Sequence, residues 1–145
     1  MIRKYNEWIE FEDEEEDFDD ESVTGIEMLI GKTLTDVVVD QNGAYGDSIT
    51  FITNKGTRYI MNHEQDCCEY VRIEDIVGDT NDLIGSPIIK ASEDTSNEYP
   101  KQESEDSFTW TFYNIATIKG HVTIRWYGSS NGYYSERVDI RKEGS

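Results

Sequence analysis

The sequence predicts a mainly β (α+β) fold, a twisted antiparallel sheet made from two similar β-hairpin half-domains with short helical turns and a bound zinc. Three observations predict the architecture. Eight segments are β-branched, aromatic or alternating, against two with helical pattern. Gly and Asn break them at hairpin spacing, and hairpins make antiparallel neighbours. The chain also resembles itself at two places, which points to a duplication.

The first element is a helical turn over 26–30. Strands follow over 33–40, 48–53, 57–61 and 71–76, broken by Asn42-Gly43 and Asn54-Lys55-Gly56. A second helical turn over 80–84, capped by Asp79 or Thr80, opens the second series. Its strands are 88–91, 108–118, 122–127 and 133–140, broken by Lys119-Gly120 and Asn131-Gly132. The stretch 92–107 is polar, holds Pro100 and reads as a long exposed loop.

The self-similarity pairs Leu29-Ile30-Gly31-Lys32-Thr33-Leu34 with Leu83-Ile84-Gly85-Ser86-Pro87-Ile88, and Thr53-Asn54-Lys55-Gly56 with Thr117-Ile118-Lys119-Gly120. Carrying the second register forward sets His63 opposite Tyr127, Cys67 opposite Asn131, Cys68 opposite Gly132 and Tyr70 opposite Tyr134. The two most unusual segments therefore fall at equivalent places.

Thirteen basic and 31 acidic side chains give 145 residues a formal net charge of −18. That excludes proteins held to phosphate or to anionic membranes by bulk charge, and no direct nucleic-acid or membrane contact is expected. The apolar fraction of 36% is low but the aromatic fraction of 12% is generous, enough for a core. No apolar run reaches a membrane span and the first ten residues lack a signal-peptide stretch, so a soluble protein of a reducing cytoplasm is expected. Two adjacent cysteines cannot build a disulfide framework.

The charge is concentrated. Residues 1–21 hold eleven acids against Arg3 and Lys4, a net of −9. The run is Glu10, Glu12, Asp13, Glu14, Glu15, Glu16, Asp17, Asp19, Asp20 and Glu21, with Trp8, Ile9, Phe11 and Phe18 set in it. Such a block is either a solvated tail or an arm that enters a basic groove on a partner. Its apolar anchors suggest docking on the protein's own core or on that partner. Residues 1–25 are accordingly an acidic N-terminal extension and 26–145 a single β-rich domain.

The densest chemistry is Asn62-His63-Glu64-Gln65-Asp66-Cys67-Cys68-Glu69. Imidazole nitrogen and thiolate sulfur are zinc ligands, and a turn at 64–66 brings His63, Cys67 and Cys68 within reach of one ion. Asp66, Glu64, Glu69, the distant His121 or water can supply the fourth position. Buried structural thiols and a vicinal disulfide are the other readings of the two cysteines. A structural zinc is favoured over a catalytic one, because no metallohydrolase helix motif accompanies the cluster. The second segment, from Trp126 to Ser135, offers either a stacking platform for a base, with Arg125, Arg137 and Arg141 nearby, or a tight hairpin packed by aromatic pairs.

With Asp66-Cys67-Cys68, Ser130-Asn131-Gly132-Tyr133-Tyr134, Gly31-Lys32-Thr33 and Asp82-Leu83-Ile84-Gly85 in view, residues 26–141 resemble an uncharacterised domain family of Gram-positive phages and prophages. With the acidic extension, the whole resembles the type II-A anti-CRISPR inhibitors of streptococcal phages. The resemblance implies a zinc-containing, non-enzymatic inhibitor of the RNA-guided CRISPR effector nuclease, acting in the host bacterial cytoplasm. It implies His63, Cys67 and Cys68 as metal residues. The acids from Glu10 to Glu21 are the expected partner-binding group, since that nuclease holds its heteroduplex in a positively charged channel. The competing readings are a phage sponge for a nucleotide signal and a zinc hydrolase using Glu64 or Glu69 as base. The oligomeric state is open.

Overall fold

The computed structural model describes residues 22–43, 46–97 and 107–143. The acids from Glu10 to Glu21 lie outside them. A 3-10 turn at Gly25–Leu29 leads into β1 (Leu34–Gly43), β2 (Gly46–Thr53), β3 (Arg58–Asn62) and β4 (Tyr70–Val77). A second 3-10 turn at Thr80–Leu83 leads into β5 (Lys90–Ser96), β6 (Ser107–Thr117), β7 (Gly120–Ser130) and β8 (Asp139–Glu143). Asp79 caps the second turn by accepting the Asn81 amide at 2.9 Å, as a short acidic side chain at an N-cap should.

All strand pairs are antiparallel, and they form two four-stranded sheets, ordered β1-β2-β3-β8 and β4-β7-β6-β5. The mainly β expectation holds, with two sheets in place of the single sheet expected. The reason is in the connections. After three consecutive strands the chain leaves its sheet, so β4 pairs with β7 and β8 pairs with β3. Two other expectations are corrected. Residues 92–96 belong to β5 and not to a loop; they form an edge strand whose polar residues need only one buried neighbour, Ala91. The strand expected over 133–140 starts at Asp139, because the aromatic run before it forms a loop.

The period-2 alternation of the strands puts one face of each sheet into a shared core. Phe51, Tyr59 and Met61 come from the first sheet, and Tyr113, Ile115, Val122, Ile124 and Trp126 from the second. Each such buried side chain contributes about 1.5–3 kcal/mol by leaving water. The Trp126 indole also donates to the Met61 sulfur at 3.2 Å, across the two sheets. At the irregularity in β4 the Asp47 carboxylate takes the Ile73 amide at 2.8 Å, a second tie from β2 to β4.

The two series enter the sheets alike, and several contacts recur. The Gly31 amide donates to the Ile88 carbonyl at 2.8 Å and the Gly85 amide to the Leu34 carbonyl at 2.9 Å. Both glycines have positive φ, +89° and +91°, which a side chain would disfavour. In the β2–β3 turn the Lys55 amide donates to Thr53 Oγ1 at 3.2 Å, and in the β6–β7 turn the Lys119 amide donates to Thr117 Oγ1 at 3.0 Å.

Candidate functional site

The loop between β3 and β4 contains all four residues expected to hold zinc. Alternation sets its chemistry. Tyr59 and Met61 face the core, and one step further His63 does too, 7% exposed. On the other side Val71 and Ile73 face inward, and one step before them lies Glu69, 4% exposed. The imidazole and the carboxylate therefore meet, His63 Nε2 to Glu69 Oε2 at 2.7 Å. His63 Nδ1 lies 2.6 Å from the Arg137 carbonyl. The ring thus bridges the Glu69 carboxylate and the Arg137 carbonyl, with both of its nitrogens engaged by protein partners.

Glu69 also collects the loop. Its carboxylate accepts the Asp66 amide at 2.7 Å and the Cys67 amide at 2.9 Å. Burial opposes its charge, but the Cys67 amide, the His63 ring and the Asp66 amide outweigh that cost and hold the carboxyl down to about 2. Gln65 closes the turn by donating to the Glu69 carbonyl at 2.7 Å.

Cys67 and Cys68 are exposed and are bonded to each other. Among the described residues no group of His, Cys, Asp and Glu converges as a metal centre. The four residues, as arranged here, do not fit zinc: the sulfurs are spent on a disulfide and both His63 nitrogens on protein partners. The zinc reading thus concerns the reduced loop alone.

The loop between β7 and β8 is held in a parallel manner by Glu136, 9% exposed. Its two oxygens accept Thr109 Oγ1 at 2.7 Å and Ser130 Oγ at 2.6 Å. Gly128 makes room for it, since a Cβ there would lie 3.0 Å from Glu136 Cβ. Asn131 Oδ1 accepts the Tyr133 amide at 2.9 Å, and the rings of Tyr133 and Tyr134 meet edge to face at 5.1 Å. Tyr133 is 82% exposed.

The structure brings these two loops to one end of the molecule. Asn62 pairs with Asp139, Tyr70 with Ser129, and the His63–Arg137 contact joins the loops directly. Beside them Tyr134, Ser135, Arg137, Glu93 and Glu136 line a cleft of about 380 Å³. A neighbouring cleft of about 410 Å³ shares Glu93 and Arg137 and adds Tyr113 and Asp139. Burial pushes the Glu93 carboxyl up, against the pull of Tyr113 and Arg137, and burial with the Glu93 charge pushes the Tyr113 hydroxyl up.

Arg125 and Arg141 do not join this end as a phosphate clamp. Arg125 lies mid-sheet, bidentate to Asp75 at 2.6 and 2.7 Å and 5.7 Å over the Trp110 ring. The Asp75 carboxyl is held low, first by that hydrogen bond. Arg141 is held by Asn62 at 3.2 Å and by Glu143.

From the sequence Glu69 was named only as a possible fourth ligand or base and Glu136 not at all, yet a signal for their anchoring role was there. Glu69-x-Val71-x-Ile73 and Glu136-x-Val138-x-Ile140 are one pattern. Reading the alternation one step before each valine places both carboxylates inward.

A family model described as a domain of unknown function (DUF7448) matches residues 27–140, and the chain belongs to that family. No curated protein matches the chain, and no solved structure does.

Proposed function

We propose that this member of the family is a non-enzymatic anti-CRISPR inhibitor, which binds the type II-A RNA-guided nuclease of a bacterial host through acidic surface and blocks loading of target DNA. The observation that carries the reading is the charge, −18 overall with −9 in the first 21 residues. A channel built to hold nucleic acid attracts such a surface, and steering of this kind raises association rates at low salt. The partner itself comes from the resemblance to phage inhibitors. Action in the host cytoplasm belongs to the same proposal.

The non-enzymatic part has structural support. Glu69, Glu136 and Asp75 are each occupied by donors of the fold, which is the work of anchors and not of acids or bases awaiting a substrate. The structural zinc on His63, Asp66, Cys67 and Cys68 is a proposal for the chain with its thiols reduced. The recurring Gly31/Gly85 and Lys55/Lys119 contacts support descent of the two series from one duplicated half-domain. The nucleotide sponge is the second reading, favoured by the placement of Tyr134 beside Arg137 in one cleft. Glu93 and Glu136 in the same cleft repel a phosphate, which sets it second.

A pull-down of the nuclease by the purified chain, followed by DNA-binding and cleavage assays, tests the reading. Capture with loss of DNA binding is expected. Capture without any effect on DNA, or no capture, overturns it.

A further inference from the structure

Two open sheets leave four edge strands, β1 and β8 in the first sheet and β4 and β5 in the second. An edge presents backbone amides and carbonyls to any other strand, and folds blunt it with charge, irregularity or covering side chains. β8 has five residues, four of them charged. β5 is polar except at Ala91. β4 breaks register after Ile73, where the Asp47 carboxylate takes the Ile73 amide at 2.8 Å and the Gln41 side chain donates to the Ile73 carbonyl at 3.2 Å.

β1 is the apolar edge. Its regular stretch runs from Asp36 to Asp40, with Val37, Val38 and Val39 between the two aspartates. Val38 is 43% exposed and Val39 37%. Among the described residues, no strand pairs with its outer edge beyond Leu34, which bridges Ile84. One local contact guards it: the Asp36 carboxylate accepts the Val37 amide at 2.9 Å. That contact also fixes the direction of the backbone. Alternate residues of an antiparallel strand turn their N–H and C=O to opposite edges, so Val37 and Val39 turn theirs away from β2.

We propose that this edge binds an extended segment of a partner protein, in which three β-branched residues lie between two lysines or arginines and pair antiparallel with Asp36–Asp40. Strand addition of this kind takes its affinity from backbone bonds and its selectivity from alternate side chains. Asp36, Val38 and Asp40 share one face of β1, so cations four residues apart on the added strand meet both carboxylates. The cation opposite Asp36 draws that carboxylate off the Val37 amide and frees the amide for the incoming carbonyl. A strand without the cation has to compete with Asp36. A second copy of the chain is disfavoured. Antiparallel pairing about Val38 sets Asp36 opposite Asp40, and in-register parallel pairing sets each aspartate beside its own counterpart. Like charges directly opposite each other are unfavourable, and −18 on each chain adds repulsion. This inference goes beyond the proposed function and stands whether or not the partner is a nuclease.

The test titrates a short blocked peptide, with valine, threonine and valine between two lysines, into the full chain. Binding and protection of the Val37 and Val39 amides from hydrogen exchange are followed by nuclear magnetic resonance. Two controls run beside it: the same peptide N-methylated at its two valines, which keeps the charge but removes the amides that face β1, and a glutamate-flanked peptide. The lysine-flanked peptide is expected to bind and to protect both amides. The N-methylated peptide should bind about tenfold more weakly for want of two hydrogen bonds, and the glutamate-flanked one about tenfold more weakly for its like charges. Asp36→Lys with Asp40→Lys, both on exposed side chains, should reverse the order of the lysine and glutamate peptides. No binding at millimolar peptide, binding indifferent to N-methylation, protection at another edge, or an order unchanged by the reversal overturns the proposal. So does protection of Val37 and Val39 that rises with protein concentration in the absence of peptide, which would make the occupant a second copy.

Discussion

The β3–β4 and β7–β8 loops occupy the same place in the two series of strands, and each closes on one buried glutamate. They differ in what meets the carboxylate. Glu69 takes an imidazole ring and two amides of its own loop. Glu136 takes only hydroxyls, from Thr109 and Ser130. The first carboxylate is therefore held by a ring and amides fixed in place by the fold, and the second by hydroxyls that can rotate to other acceptors. A buried donor that cannot turn elsewhere is costlier to strand, so equal position does not mean equal stake. The second loop is free to present Tyr133 and Tyr134 because its anchor asks little of them.

The largest effect in this comparison is expected from Glu69→Ala. It strands a buried imidazole and two amides, and urea unfolding should show a loss of about 3–5 kcal/mol, as when one partner of a buried pair is removed. Glu136→Ala removes hydrogen bonds to hydroxyls that can turn elsewhere and should cost less, about 1–3 kcal/mol. Equal losses would end the distinction between the two locks.

Acid sharpens it. The Glu69 carboxyl sits at about 2 in the fold, below its ordinary 4.5. A carboxyl held low stabilises the fold above its unfolded value and loses that contribution as pH falls through the folded one. Unfolding free energy should therefore drop between pH 4.5 and 2, and Glu69→Gln should flatten that part of the profile. The same profile in both proteins would remove Glu69 as its source.

A smaller effect is expected at the cysteines. Both are exposed, and in reduced protein kept free of metal by a chelator, with the loop held by Glu69, the double change Cys67→Ser, Cys68→Ser should move stability by no more than about 0.5 kcal/mol. In reduced protein loaded with zinc the proposed site predicts about one zinc per chain by elemental analysis and a loss of several kcal/mol for the same change; no zinc and no loss would end the zinc proposal. The smallest effect belongs to Tyr133→Ala, which should leave the unfolding midpoint unchanged; a large shift would mean that the exposed ring is structural.

Most strands were legible because alternation and hairpin glycines are local signals. Val71 and Ile73 announce β4, and Lys55-Gly56 and Lys119-Gly120 mark their turns, as the structure bears out. Sheet membership was not legible. The exchange of β4 and β8 depends on long-range packing that no local pattern encodes. β5 was missed beyond Ala91 because a polar edge strand resembles a loop. In the β3–β4 loop the eye goes to soft ligands, His63, Cys67 and Cys68, while the residue that organises it is Glu69. Its role appears only when strand alternation is carried past the last apolar residue.

The account's central claim is that acidic surface competes with DNA for a basic channel. The direct measurement is an equilibrium titration of target-DNA binding by the guide-loaded nuclease against the full chain at several salt concentrations, beside a variant with four or five of the acids from Glu10 to Glu21 reversed. Near-stoichiometric loss of DNA binding is predicted, weakening as salt shortens the screening length toward about 8 Å and weaker again in the variant. DNA binding that persists at saturating protein, or inhibition indifferent to both salt and charge reversal, would contradict it.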